Sequence, residues 1–111
     1  MTYAMMSSMD IRPGLHVDDE ALAQFCRRHA IRRLAVFGSA LGNDFRDDSD
    51  VDILAEFAAG HSPGLMRIAQ MELELAELIG GREVEIRTYE DLSRHFRDAV
   101  AKQASTLYAA A

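Results

Sequence analysis

With 111 residues and a net charge of -6, this chain has room for one hydrophobic core, and it lacks the surplus of Lys and Arg that sequence-independent nucleic-acid binding depends on. Its single cysteine, Cys26, excludes an internal disulfide and a thiolate zinc site, and points to a reducing, cytoplasmic setting. No apolar run approaches the roughly 18 residues of a membrane span, and the opening MTYAMMSSMD has neither the basic region nor the apolar stretch of a secretory signal.

Residues 1–14, ending at Pro13-Gly14, read as a disordered leader, which leaves 15–111 as one folded domain. Asp18 or Asp19 can cap a helix reaching about residue 29, with Leu22, Phe25 and Cys26 on one face. The short apolar run 33–37 predicts a strand, after which Gly38-Ser39 turns the chain into a brief helical segment near 40–41. A polar loop rich in Asp, Asn and Gly covers 42–49, and a second strand spans 51–57.

Gly60, Pro63 and Gly64 mark a loop leading to the longest helix, 65–79, which Gly80-Gly81 closes. At about 100° per residue, Leu65, Ile68, Ala69, Met71, Leu75, Ala76, Leu78 and Ile79 share one broad face of that helix. Met66 and Leu73 widen the apolar arc beyond what one sheet face requires, either as a partner surface or as extra core. A strand over 83–87, a turn near 91–92 and a closing helix over 94–108, with Phe96, Val100 and Leu107 as its apolar stripe, complete an α+β domain.

The informative pattern is Gly38-Ser39, ten residues, then Asp50-Val51-Asp52. Residues two apart on a strand face the same side, so Asp50 and Asp52 project together while Val51 and Ile53 point into the core. Paired carboxylates of this kind hold hard cations through oxygen ligands. Glycine lets phosphates approach the backbone, Ser39 adds a hydroxyl donor, and a helix start after Gly38 offers unpaired N–H groups to a triphosphate. The Gly-Lys-Ser/Thr of a P-loop is missing, so this glycine turn is no kinase-type cradle.

With FGSALGNDFRDDSDVDILAEF, then GREVEIRT, then a closing segment ending Leu107-Tyr108, the chain resembles the minimal nucleotidyltransferases of the polymerase-beta-like superfamily over about residues 25–108. That resemblance implies a mixed β-sheet with helices packed mainly on one face, and transfer of a nucleotidyl group, usually AMP from ATP, to a hydroxyl. It implies two Mg2+ ions, with Mn2+ as the alternative, held by Asp50, Asp52 and a third carboxylate on the neighbouring strand. Alignment puts Glu85 at that third position, where the family usually has Asp. The extra methylene moves its oxygens by about one bond, and misplacement near 1 Å can cost about 10²-fold in rate.

The resemblance further implies an antitoxin that adenylylates a tyrosine of a cognate HEPN-type ribonuclease toxin, while the acidic charge and the lack of a long apolar run lead us to expect neither direct nucleic-acid binding nor a membrane partner. Two other readings stand beside it: a catalytically weak module that neutralises the toxin by binding alone, and a transferase acting on a small molecule or RNA with a separate helical subunit. Asp47, Asp48 and Asp50 also read as a solvated acidic loop, Ser39 as a helix cap, and Arg46 as a surface ion pair worth little. His16, His29, His61 and His95 show no metal spacing and read as surface residues, while Cys26 reads as core packing.

Overall fold

Where the sequence predicts a disordered leader, strands β1 (Ser8–Arg12) and β2 (Leu15–Asp18) form an antiparallel hairpin. Leu15 and Val17 alternate with His16 and send their side chains into the core, which is why this end of the chain is held. The computed structural model describes residues 8–12, 14–43 and 45–110; the expectation for residues 1–7 and Pro13 lies outside them.

Helix α1 (Asp19–Arg28) starts as expected. Asp18 accepts a hydrogen bond from the Ala21 N–H at 2.8 Å, Asp19 and Glu20 occupy the first turn, and Arg27 and Arg28 the last. Such a cap contributes about 1 kcal/mol, and the charges complement the ends of the helix dipole. Helix α2 (Leu65–Leu78) ends in a left-handed double glycine, Gly80-Gly81, whose second N–H returns to the Ala76 carbonyl at 2.8 Å. Its core stripe is narrower than predicted. Met71, Leu75 and Ile79 are buried, whereas Leu65, placed on that face by the periodicity, is 89 % exposed with Met66.

The main sheet contains β3 (Ile31–Phe37), β4 (Val51–Phe57), β5 (Val84–Arg87) and β6 (Ser105–Ala109), in the order β5-β4-β3-β6. β4 runs parallel to β5 and antiparallel to β3, so the sheet is mixed. Leu34, Val36, Val51, Ile53, Ala55, Val84 and Ile86 join α1 and α2 in one core. Ala35 and Leu54 are buried on the other face.

The predicted closing helix is overturned. It splits into α3 (Arg97–Gln103) and the edge strand β6, which pairs antiparallel with β3, so Leu107 and Tyr108 are strand residues. β3 is a buried strand, and leaving one side of its backbone unpaired would strand its donors and acceptors away from water. That tertiary demand outweighs the local helical pattern. The predicted turn near 91–92 is a 3-10 turn, Tyr89–Asp91, closed by the Leu92 N–H, with Thr88 and Asp91 capping each other.

Candidate active site

Chain reversal between β3 and β4 brings the two halves of the glycine–aspartate pattern together. β3 ends at Phe37, which pairs with Asp52 across the antiparallel ladder, so the Gly38-Ser39 turn sits beside the start of β4. Gly38 has φ +77, a conformation an L side chain rarely adopts, and a Cβ there would strike the Asp52 carboxylate, with Asp52 Cγ only 3.2 Å away. The glycine is therefore required twice, for its backbone angle and for the space the aspartate fills.

The helical segment after it is a single 3-10 turn, Gly38–Leu41, so it offers a few N–H groups rather than the dipole of a full helix. Its N-cap is Phe37 with no side-chain cap, so Ser39 is a half-buried residue within the turn and not its cap.

Asp52 is opposite Glu85 in the parallel β4–β5 register. The two carboxylates thus share a face of the sheet with Asp50, which is exposed at the mouth of β4. Burial pushes the Asp52 carboxyl above its ordinary 3.8, and the nearby charges of Glu85 and Asp50 push the same way; Arg87 opposes them. Glu85 is turned toward Arg87, whose Nε donates to it at 2.8 Å with a second contact from Nη2. Among the described residues, no three acidic, His or Cys side chains come close enough together to hold a metal ion.

The donors nevertheless suit Mg2+. They are carboxylate oxygens, one of them crowded by like charge, and Mg2+ needs only one or two carboxylates beside substrate oxygens. Asp50 and Asp52 would hold it, and Glu85 would join on release from Arg87.

The loop between the two halves is fastened by residues the sequence reading did not single out. Arg12, on β1, donates from Nη1 to the carbonyls of Ala40 and Gly42 at 3.0 Å each. Its guanidinium carbon lies 4.6 Å from the Phe45 ring centre, and that of Arg82 lies 4.3 Å from the same ring. Arg82 also donates to the Arg46 carbonyl and, at 2.9 Å, to that of Ser49, next to Asp50. Asp47 and Asp48 occupy the turn closed by the Ser49 N–H to Arg46 carbonyl bond. An aromatic residue inside a polar loop was the one available sequence signal.

His29 is corrected as well. Its side chain is 7 % exposed, between α1 and α2, with Nε2 2.6 Å from Glu74 and the ring against Phe25. Cys26 is core, and burial pushes its thiol up to about 12, which removes it from nucleophilic chemistry.

The sequence pattern of the family described as "Polymerase beta, Nucleotidyltransferase" matches residues 20–111. Protein adenylyltransferase MntA of Thermococcus cleftensis is 38 % identical over 79 residues, covering 71 % of this chain and 75 % of that protein. A solved structure described as a minimal nucleotidyltransferase is 34 % identical, covers 86 % of this chain and 94 % of its own, and superimposes with a TM-score of 0.62. A toxin-antitoxin structure solved with AMP-PNP shares the fold, with a TM-score of 0.65 at 16 % identity over 83 % of this chain and 73 % of that one. A matching family pattern over most of the chain, on a mixed sheet with a glycine turn packed against an aspartate, settles the kinship: the chain belongs to the polymerase beta nucleotidyltransferase family.

Proposed function

We propose that this nucleotidyltransferase moves AMP from ATP-Mg2+ to a tyrosine hydroxyl of a cognate HEPN-type toxin and thereby silences it. One observation carries the reading. Gly38 packs against Asp52, and Asp52 faces Glu85 on the next strand, so the residues this reading assigns to phosphate, cation and proton stand in a row across β3, β4 and β5. The relatives' names and assemblies support the protein acceptor and the toxin partner.

In this reading Gly38 and Ser39 seat the triphosphate through backbone N–H groups and the Ser39 hydroxyl. Asp50 and Asp52 would hold Mg2+, two ions in the full form, which would supply charge stabilisation to the phosphates. Glu85 takes the proton of the incoming phenol. A bond forms between the phenol oxygen and the α-phosphorus, the α–β bridging bond breaks, and pyrophosphate leaves with its electron pair. The small domain leaves the acceptor to be presented by the partner.

The test is to incubate the chain with ATP, Mg2+ and the toxin encoded beside it, then weigh the toxin intact. A gain of one or more AMP units is expected; no gain while the two proteins bind would sink the reading. The Glu85–Arg87 pair favours one rival, neutralisation by binding alone, because it occupies the would-be base. Glu85→Asp should raise transfer if the site is merely detuned by the longer side chain.

A further inference from the structure

An exposed apolar stripe runs the length of α2. Leu65, Ala69 and Leu73 recur at helical spacing, with Leu65 and Leu73 89 % and 72 % exposed, and Ala76 continues the row half-buried against the core. Two confluent grooves follow this stripe along the free edge of β5, of about 1150 and 400 Å3, sharing Ala69, Glu72 and Glu85. Their walls are acidic. The smaller is bordered by Asp50, Glu72, Glu83 and Glu85 without any Lys, Arg or His among its lining residues, and the larger is also lined by Glu90 and Asp91.

Three observations narrow what the trough accepts. Carboxylates outnumber the guanidiniums Arg32 and Arg87, so a ligand whose phosphates carry no bound cation is disfavoured, and a chain segment bearing Lys or Arg is attracted. Glu72 accepts the outward N–H of Ile86 at 2.7 Å, which blocks that position of the β5 edge against an added strand. The apolar anchors sit at helical spacing on a helix, a surface that packs against another helix.

We propose that this trough is the docking surface for the acceptor protein, and that its occupant is a helical segment whose apolar stripe is flanked by Lys or Arg. The surface is continuous with the reacting end of the molecule, because Glu85 borders both grooves and faces Asp52. The glycine turn lies on the β3 side of Asp52, so the nucleotide comes from that side and the acceptor from the β5 edge. The proposal rests on the reading of this site as a transferase acting on a protein.

The test uses the full chain and a fluorescent amphipathic peptide with a Leu stripe, Lys flanks and one Tyr, together with a twin carrying Glu in place of every Lys. Anisotropy titrations should show the Lys peptide binding and the Glu twin failing to bind. Leu65→Ser combined with Leu73→Ser, and separately Glu83→Lys, should each weaken binding at least about tenfold. Glu20→Lys on α1, the same charge change outside the trough, should leave it unaltered. Equal binding by the Leu65→Ser/Leu73→Ser chain, equal binding of the Glu twin, or an equal loss in Glu20→Lys overturns the proposal. AMP added to the peptide Tyr is scored separately by mass. Binding without transfer leaves the docking surface standing and counts against the proposed reaction, whereas transfer undiminished in the trough variants overturns the docking surface itself.

Discussion

Asp52 and Glu56 lie on the same face of β4, four residues apart, and their carboxyls are pushed in opposite directions. Glu56 is held below its ordinary 4.5, first by hydrogen bonding from Arg33, with Arg32 adding to it, at 3.1 and 3.2 Å. Asp52 is raised by burial and by two neighbouring carboxylates. A strand end that supplies a cation for its acid is finished as structure. An end that gathers acids around a partly buried one leaves like charges facing each other, which is the arrangement the proposed cation site would use.

The sharpest way to break this comparison is to remove the unfinished end. Asp50→Ala with Asp52→Ala should lower AMP transfer by more than about 10³-fold, the scale on which charge-stabilising groups act. Glu56→Gln should leave transfer nearly intact. Comparable loss from both changes would show that the two ends are not different in kind.

Next in size is Gly38→Ala. The positive φ costs about 1–3 kcal/mol for a non-glycine residue. The added Cβ must also displace the Asp52 carboxylate, so transfer should fall by about 10²-fold as well. Urea unfolding and a transfer assay on the same preparation separate the two losses.

Arg82→Ala should act more mildly. It releases Phe45 and the carbonyls of Arg46 and Ser49, loosening the loop that delivers Asp50. KM for ATP should rise about tenfold, equivalent to about 1.4 kcal/mol, with a smaller change in kcat. Arg82→Lys should recover little, because an ammonium cannot reproduce the planar fork. A fall in kcat alone, with KM unchanged, would count against a role in positioning the loop.

The smallest effects are in stability and have opposite signs. A raised folded-state pKa means that Asp52 favours the fold when protonated, and this contribution fades as pH rises above the ordinary 3.8 through the raised value. Asp52→Asn should therefore stabilise the metal-free chain at neutral pH, and Mg2+ should raise the melting temperature of the wild type but not of this variant. The depressed Glu56 contributes above its ordinary 4.5, and the contribution disappears as pH falls through its folded value. Glu56→Gln should then cost about 1 kcal/mol at neutral pH and nothing in strong acid, as thermal melts across pH would show.

Much of the central architecture was legible because its signals are local. The strands around the glycine–aspartate pattern are short apolar runs, α1 carries its own cap, and α2 ends in a double glycine. Errors gathered at the two ends of the described chain. β1 exists because β2 pairs with it and the hairpin packs on the core, and β6 exists because β3 needs a partner on its second side. Neither demand is visible in the residues that meet it. Likewise the periodicity of α2 marked Leu65 as core, since a helical stripe records apolar character but not which part of it the sheet reaches.

The sequence alone determined the chemistry on offer: an acidic chain with a glycine turn, two aspartates at strand spacing and a glutamate further on, because residue type and period two are local properties. Only the tertiary structure decided how those groups meet. Strand pairing set Asp52 against Gly38 and opposite Glu85, and packing gave Arg12 and Arg82 to the intervening loop. Those contacts link residues far apart in the chain, and they are fixed by register and packing, which no single segment encodes.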